Sequence, residues 1–157
     1  MEMTLLADQI ERAFRGDSWH GPAVLEVLAG ITAEDAAAHP IAGAHSIWEI
    51  VLHMASGYAL VLGRIQGDRI QLEEDQEWPS VQEVRDDLWQ ADLARLDQLN
   101  RQLVRAVGEF SPARLGDPLG SEFTAATQFL GAPQHDLYHA GQIVMLKKAL
   151  ARSRQQA

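Results

Sequence analysis

The sequence predicts an all-α protein, a four-helix bundle with crossover connections. Three observations carry this. Apolar residues recur at three- and four-residue spacing in four major segments, the connections are long enough for crossovers, and no period-two run of four or more residues outcompetes the helical pattern. A length of 157 residues, 46% apolar and 22% charged, suits one domain spanning residues 1–157 with enough apolar side chain to close a core.

The first helix is read over about residues 4–15, from Leu5, Leu6, Ile10, Ala13 and Phe14, with Gly16 and Asp17 ending the pattern. Pro22 suits the first position of a second helical piece through Val24, Leu25, Val27 and Leu28 to Gly30. Thr32 can cap a short turn through Ala38, and residues 40–45 form a loop. Ser46-Ile47-Trp48-Glu49 has the S-x-x-E form of a capping box, in which each end residue satisfies a free amide of the other. From Ile47 through Gly63 the long helix that starts there is apolar except for Tyr58 and a narrow stripe of Glu49, His53 and Ser56. So apolar a helix must be covered on several sides, by its bundle or by a second subunit, and a homodimer is expected.

Residues 67–79 carry Glu73, Glu74, Asp75 and Glu77 and read as a solvated acidic connection ending at Trp78. Ser80-Val81-Gln82-Glu83 repeats the capping-box pattern and predicts a helix over about 80–109. Ser111-Pro112 can start one more turn, and residues 116–121 carry chain-reversing residues. The last helix is read over about 124–150, with a kink near 131–133, because Pro133 lacks the amide a continuous ladder requires.

Composition narrows the function. Thirteen basic against 22 acidic residues give a net charge of −9, which repels polyphosphate and anionic bilayers, so nucleic acid is not an expected partner. The chain has no cysteine, which excludes disulfides, thiolate metal sites and a cysteine nucleophile. The start Met-Glu-Met-Thr lacks the features of an export signal, and a cytoplasmic location is expected. The apolar stretch Ile50–Gly63 is shorter than the roughly 20 residues that cross a bilayer, so no membrane span is expected.

Six histidines carry the candidate chemistry, and two of them, His135 and His139, stand four apart on a helix. At that spacing two imidazoles lean the same way from successive turns and can address one ion. His53, near the middle of an otherwise apolar helix, is the candidate third ligand from a facing helix. Three imidazoles would leave an open position, as in catalytic rather than structural metal sites. Read from spacing alone, the alternative stays open that His53 joins a solvent stripe with Glu49 and Ser56 while His135 and His139 face water.

The runs Trp19-His20-Gly21-Pro22, H-S-I-W-E-I-V-L-H-M-A from His45 to Ala55, and Q-H-D-L-Y-H-A-G-Q-I from Gln134 to Ile143 resemble the DinB/YfiT-like superfamily of metalloenzymes. The resemblance covers nearly the whole chain. It implies a four-helix bundle, commonly a homodimer, in which a histidine of the second long helix and an H-x-x-x-H pair of the last long helix bind a divalent metal. Here those positions are His53, His135 and His139. The resemblance also implies chemistry on a low-molecular-weight thiol cosubstrate, which a chain without cysteine would receive from outside. A bound cation lowers the pKa of a thiol or water and so makes a nucleophile at neutral pH.

Further roles follow by position. Glu49, one turn before His53, can support that ligand or serve only its capping box. Asp136 points about 100° around the helix from His135 and is read as a solvent or supporting residue. Gln142 lies on the ligand face and, as a cofactor-binding candidate, can orient a metal-bound water or simply bond its own helix neighbours. Trp19 and His20, in a turn before a helix, can line the pocket mouth, with Trp19 contacting the cosubstrate and His20 acting as acid or base or as a thiol-binding group, or be an ordinary packed tryptophan and an exposed histidine. Trp48, Trp89 and Tyr58 are expected in core or dimer contacts, and His39 and His45 at the surface.

The leading expectation is a metal-dependent thiol S-transferase acting on a small-molecule substrate. A metal-dependent hydrolase shares all its residues, and a dimeric stress-associated metal- or ligand-binding protein is the non-catalytic alternative. Zinc, nickel, iron and manganese all suit imidazole ligands.

Overall fold

Helical periodicity becomes seven α-helices among the described residues, 2–156, of the computed structural model. They are α1 (Met3–Arg15), α2 (Val24–Leu28), α3 (Ala33–Ala37), α4 (Ile47–Gln66), α5 (Glu74–Glu77), α6 (Asp86–Gly108) and α7 (Ala125–Gln156). A single 3₁₀ turn covers Pro112–Arg114, and an isolated antiparallel bridge joins Pro118 to Thr124. No strand occurs among the described residues, so the chain is all-α as its periodicity predicts.

Local chemistry sets the helix starts. Ser46 Oγ accepts from the Glu49 amide at 3.1 Å while the Glu49 carboxylate accepts from the Ser46 amide at 2.7 Å, so the capping box forms and orients α4. Thr32 caps α3 by accepting from the Asp35 amide. At α1 the chain turns through Gly16 and Asp17, both at positive φ, and Arg12 donates to the Asp17 carbonyl.

The four long helices pack as α1 on α6, α6 on α4, α4 on α7 and α7 on α1, which encloses one core. Connections 16–46 and 109–124 therefore link helices that are not principal packing partners, and α2 and α3 fill the first of these crossings against α7 and α4. Phe14, Trp48, Trp89, Leu96, Leu103 and Phe129 are wholly buried or nearly so. Each core tryptophan keeps its indole N–H satisfied: Trp48 donates to Asp92 and Trp89 to the Ile31 carbonyl.

Four boundaries differ from the sequence reading. Helix α2 starts at Val24, with Glu26 reaching back to the Ala23 amide, so Pro22 precedes the cap instead of opening the helix. Helix α6 starts at Asp86, because Gln82 donates to the Ser80 hydroxyl and occupies the would-be cap, whereas Asp86 and Asp87 bring negative charge to the first turn. Helix α7 runs through Pro133 as one element and on to Gln156. The acidic connection contains α5, and the residue after it, Trp78, turns inward. No helix is long and apolar enough to cross a membrane.

Candidate metal centre

Helices α4 and α7 bring the three predicted histidines together. His53 Nε2 lies 2.9 Å from His135 Nε2, and His139 Nε2 lies 3.0 Å from the same atom. Among the described residues these three form the group able to hold one ion, with ligand atoms all within 4.8 Å of one another. His53 and His139 are buried and His135 is half-buried.

The outer nitrogens decide what the inner ones present. His53 Nδ1–H donates to the Glu77 carbonyl at 2.8 Å, and His139 Nδ1–H donates to Gln142 Oε1 at 2.6 Å. Both acceptors are oxygens without a proton to give, so each ring carries its hydrogen on Nδ1 and aims a lone pair from Nε2 into the cluster. His135 can supply one proton to one of those lone pairs, which leaves the other facing nitrogen without a hydrogen between them. A shared cation would resolve this. Three imidazoles around a tetrahedral ion at about 2.0–2.1 Å would be separated by roughly 3.3 Å, within a few tenths of an ångström of the two short edges.

Burial adds to the same preference. It lowers His135 to about 4, helped by neighbouring His139 and His53, and it lowers His139 to about 4 against the opposing pull of Gln142. His53 is also lowered, by burial first, with the Glu77 carbonyl pulling the other way. At neutral pH all three rings are therefore uncharged and available as ligands.

The sequence from residue 18 to residue 143 matches the family profile of the DinB superfamily. The chain belongs to the DinB superfamily. Neither the curated proteins nor the solved structures contain a match to it. The matched span of this DinB-superfamily chain includes all three clustered histidines.

The supporting residues partly differ from those expected. Gln142 does sit on the ligand face, where it bonds His139 directly. Glu49 does not reach His53: its carboxylate is taken by the Ser46 amide and by His39 Nε2 at 3.1 Å, and the outer nitrogen of His53 goes to Glu77 instead. Trp19 is fully exposed, and His20 faces Leu137, Ala140 and Val144, which lie roughly opposite the ligand face of α7. Neither joins the histidine cluster.

Three features were not legible beforehand. Trp78 lies between His53 and His45, with ring centroids 3.8 and 3.7 Å away and planes within 6° of parallel. A tryptophan at the end of an acidic connection was the one available signal. His45 is thus at the surface, as expected, but also stacked. Asp136 is wholly buried, and accepts from Tyr58 Oη at 2.5 Å while its second oxygen has no protein partner. Burial raises its carboxyl to about 7, against the opposing hydrogen bond from Tyr58. Trp48, Trp89 and Tyr58 are all buried, in the core of this chain.

Proposed function

We propose that this chain is a divalent-metal-dependent enzyme that moves an electrophilic group onto a low-molecular-weight thiol, with His53, His135 and His139 as ligands. The convergence of three Nε2 atoms, two of them on rings whose tautomers are set from outside, supports the reading most directly. A divalent ion held there would lower the pKa of a thiol or of water and so supply a nucleophile at neutral pH.

The chain's own residues would do the rest. Glu77 and Gln142 hold two ligand rings by their outer nitrogens, and Trp78 covers the face of His53. Beside the cluster runs a cavity of about 450 Å³, lined by His53 and His135 and by apolar residues such as Leu60 and Val61. That volume suits a small molecule, and its apolar walls would exclude water from a reacting group. The cluster has no fourth protein donor among the described histidines, aspartates and glutamates, which favours a reactive site over a closed structural one.

A hydrolase using the same residues is the second reading, favoured by the same cavity. We include a homodimer in the proposal, because Leu130, Tyr138 and Met145 expose apolar surface along α7. The test is consumption of a small thiol in the presence of an electrophile and added divalent metals, with His53→Ala as control. Metal-dependent loss of thiol, abolished in the variant, supports the transferase. Bound metal with ester hydrolysis and no thiol loss supports the hydrolase, and apparent mass in solution checks the dimer.

A further inference from the structure

The cavity beside the histidines is a groove between α4 and α7. On α4 it is lined by His53, Gly57, Val61 and Arg64, and on α7 by Gln128, Gly131, Ala132 and His135, all at helical spacing. Arg64 lies eleven positions after His53, so the groove extends roughly 16 Å along α4 from the histidines to the arginine. Its middle is apolar and open, because Gly57 and Gly131 carry no side chain to fill it. This accounts for the apolar excess of α4 without a partner chain covering that side.

Arg64 has an unusual set of partners. Its Nε and Nη2 donate to the Ile70 carbonyl at 3.2 and 2.9 Å, and Nη1 donates to Gln128 Oε1 at 3.1 Å. None of the ion pairs among the described residues includes it. All of its acceptors are uncharged, so the positive charge is held in place without being neutralised, and partial burial lowers its pKa. Gly120 presses on its stem so closely that a Cβ there would lie 2.4 Å from Arg64 Cγ. Gln128 is itself committed, donating to the Leu119 carbonyl at 2.7 Å. Each terminal nitrogen retains one free N–H, and a carboxylate accepts two such bonds at once. The other charged lining residue, Glu77, lies beside His53 at the opposite end.

We propose that the groove binds a carboxylate-bearing molecule with an apolar body, its carboxylate on Arg64 and its other end at the histidine cluster. This names a substrate class for the site and rests on the enzymatic reading above only for the claim that the bound molecule reacts. In the metal-free protein Glu77 repels the carboxylate from the histidine end and Arg64 attracts it to the far end, so there the charges of the chain itself set the orientation. Arg64 is a binding residue here, and the apolar wall supplies the contact that any guest of this shape would share.

The test compares octanoate with octanamide by calorimetric titration of the metal-free protein. Octanoate is expected to bind the wild type about tenfold or more tightly than octanamide. Arg64→Gln should remove that preference while leaving octanamide binding and metal affinity unchanged, and Arg64→Lys should restore part of it. Gly131→Leu, whose new side chain enters open space, should weaken both probes. Equal binding of the two probes, no saturable binding, or a preference that survives Arg64→Gln would overturn the proposal. A preference lost in His135→Ala but kept in Arg64→Gln would place the carboxylate at the histidines and overturn it as well. Failure of metal binding or turnover with the octanoate preference intact would overturn the enzymatic reading alone.

Discussion

Trp78 lies flat on His53, with ring centroids 3.8 Å apart and planes 4° from parallel. The stack closes one face of a candidate metal-ligating imidazole, and the adjacent residue, Glu77, bonds that ring's outer nitrogen through its carbonyl. The acidic connection thereby holds His53 in two ways, by a hydrogen bond at the edge and by an aromatic face.

Replacing Trp78 with alanine is expected to lower metal affinity by about tenfold, at the low end of the range for groups that orient ligands. Trp78→Phe should retain most of the affinity because it keeps an aromatic face. Competition against a chromophoric chelator measures both; equal affinity in Trp78→Ala and wild type would deny the stack any role in holding the ring.

Gln142 tests the other edge. Gln142→Leu removes the acceptor for His139 Nδ1–H, frees the ring to change tautomer, and should cost 10- to 100-fold in metal affinity. Gln142→Glu, which keeps an acceptor, should stay near the wild type. The comparison needs helical circular dichroism alongside, so that a loss of fold is not read as a loss of affinity.

Asp136 gives a pH prediction of definite sign. Its carboxyl is raised by burial from 3.8 to about 7, so the folded chain holds a proton that the unfolded chain releases. The stability it contributes is fully present below about pH 3.8 and is lost as pH rises through about 7. Asp136→Asn has no such loss, so in metal-free protein its stability relative to wild type should grow by a few kcal/mol between about pH 4 and 7 and then level off. Urea unfolding at stepped pH measures this; a difference independent of pH would contradict the buried-acid assignment.

The helices and the candidate ligands were legible because their signals are local. The Ser46 and Thr32 caps, the spacing of Phe14 with Ile10, and the pair His135 and His139 each depend on residues within one or two turns. The start of α6 was misread because the Ser80 hydroxyl has a competing partner, Gln82, that a motif does not reveal. Trp78 and Glu77 were missed for a different reason. Their roles come from a chain reversal that lays an acidic connection across α4, and nothing in the sequence near Trp78 points to His53, 25 positions earlier. Asp136 was misjudged because its direction around α7 was clear but the depth of Tyr58 beneath it was not.

Whether three rings from two helices share one ion is decided by titrating metal-free protein with a divalent metal. One tightly bound ion per chain is expected, with at least a hundredfold loss of affinity in each of His53→Ala, His135→Ala and His139→Ala and helicity retained. Stoichiometric binding left intact by His53→Ala, or no saturable binding in the wild type, would contradict it.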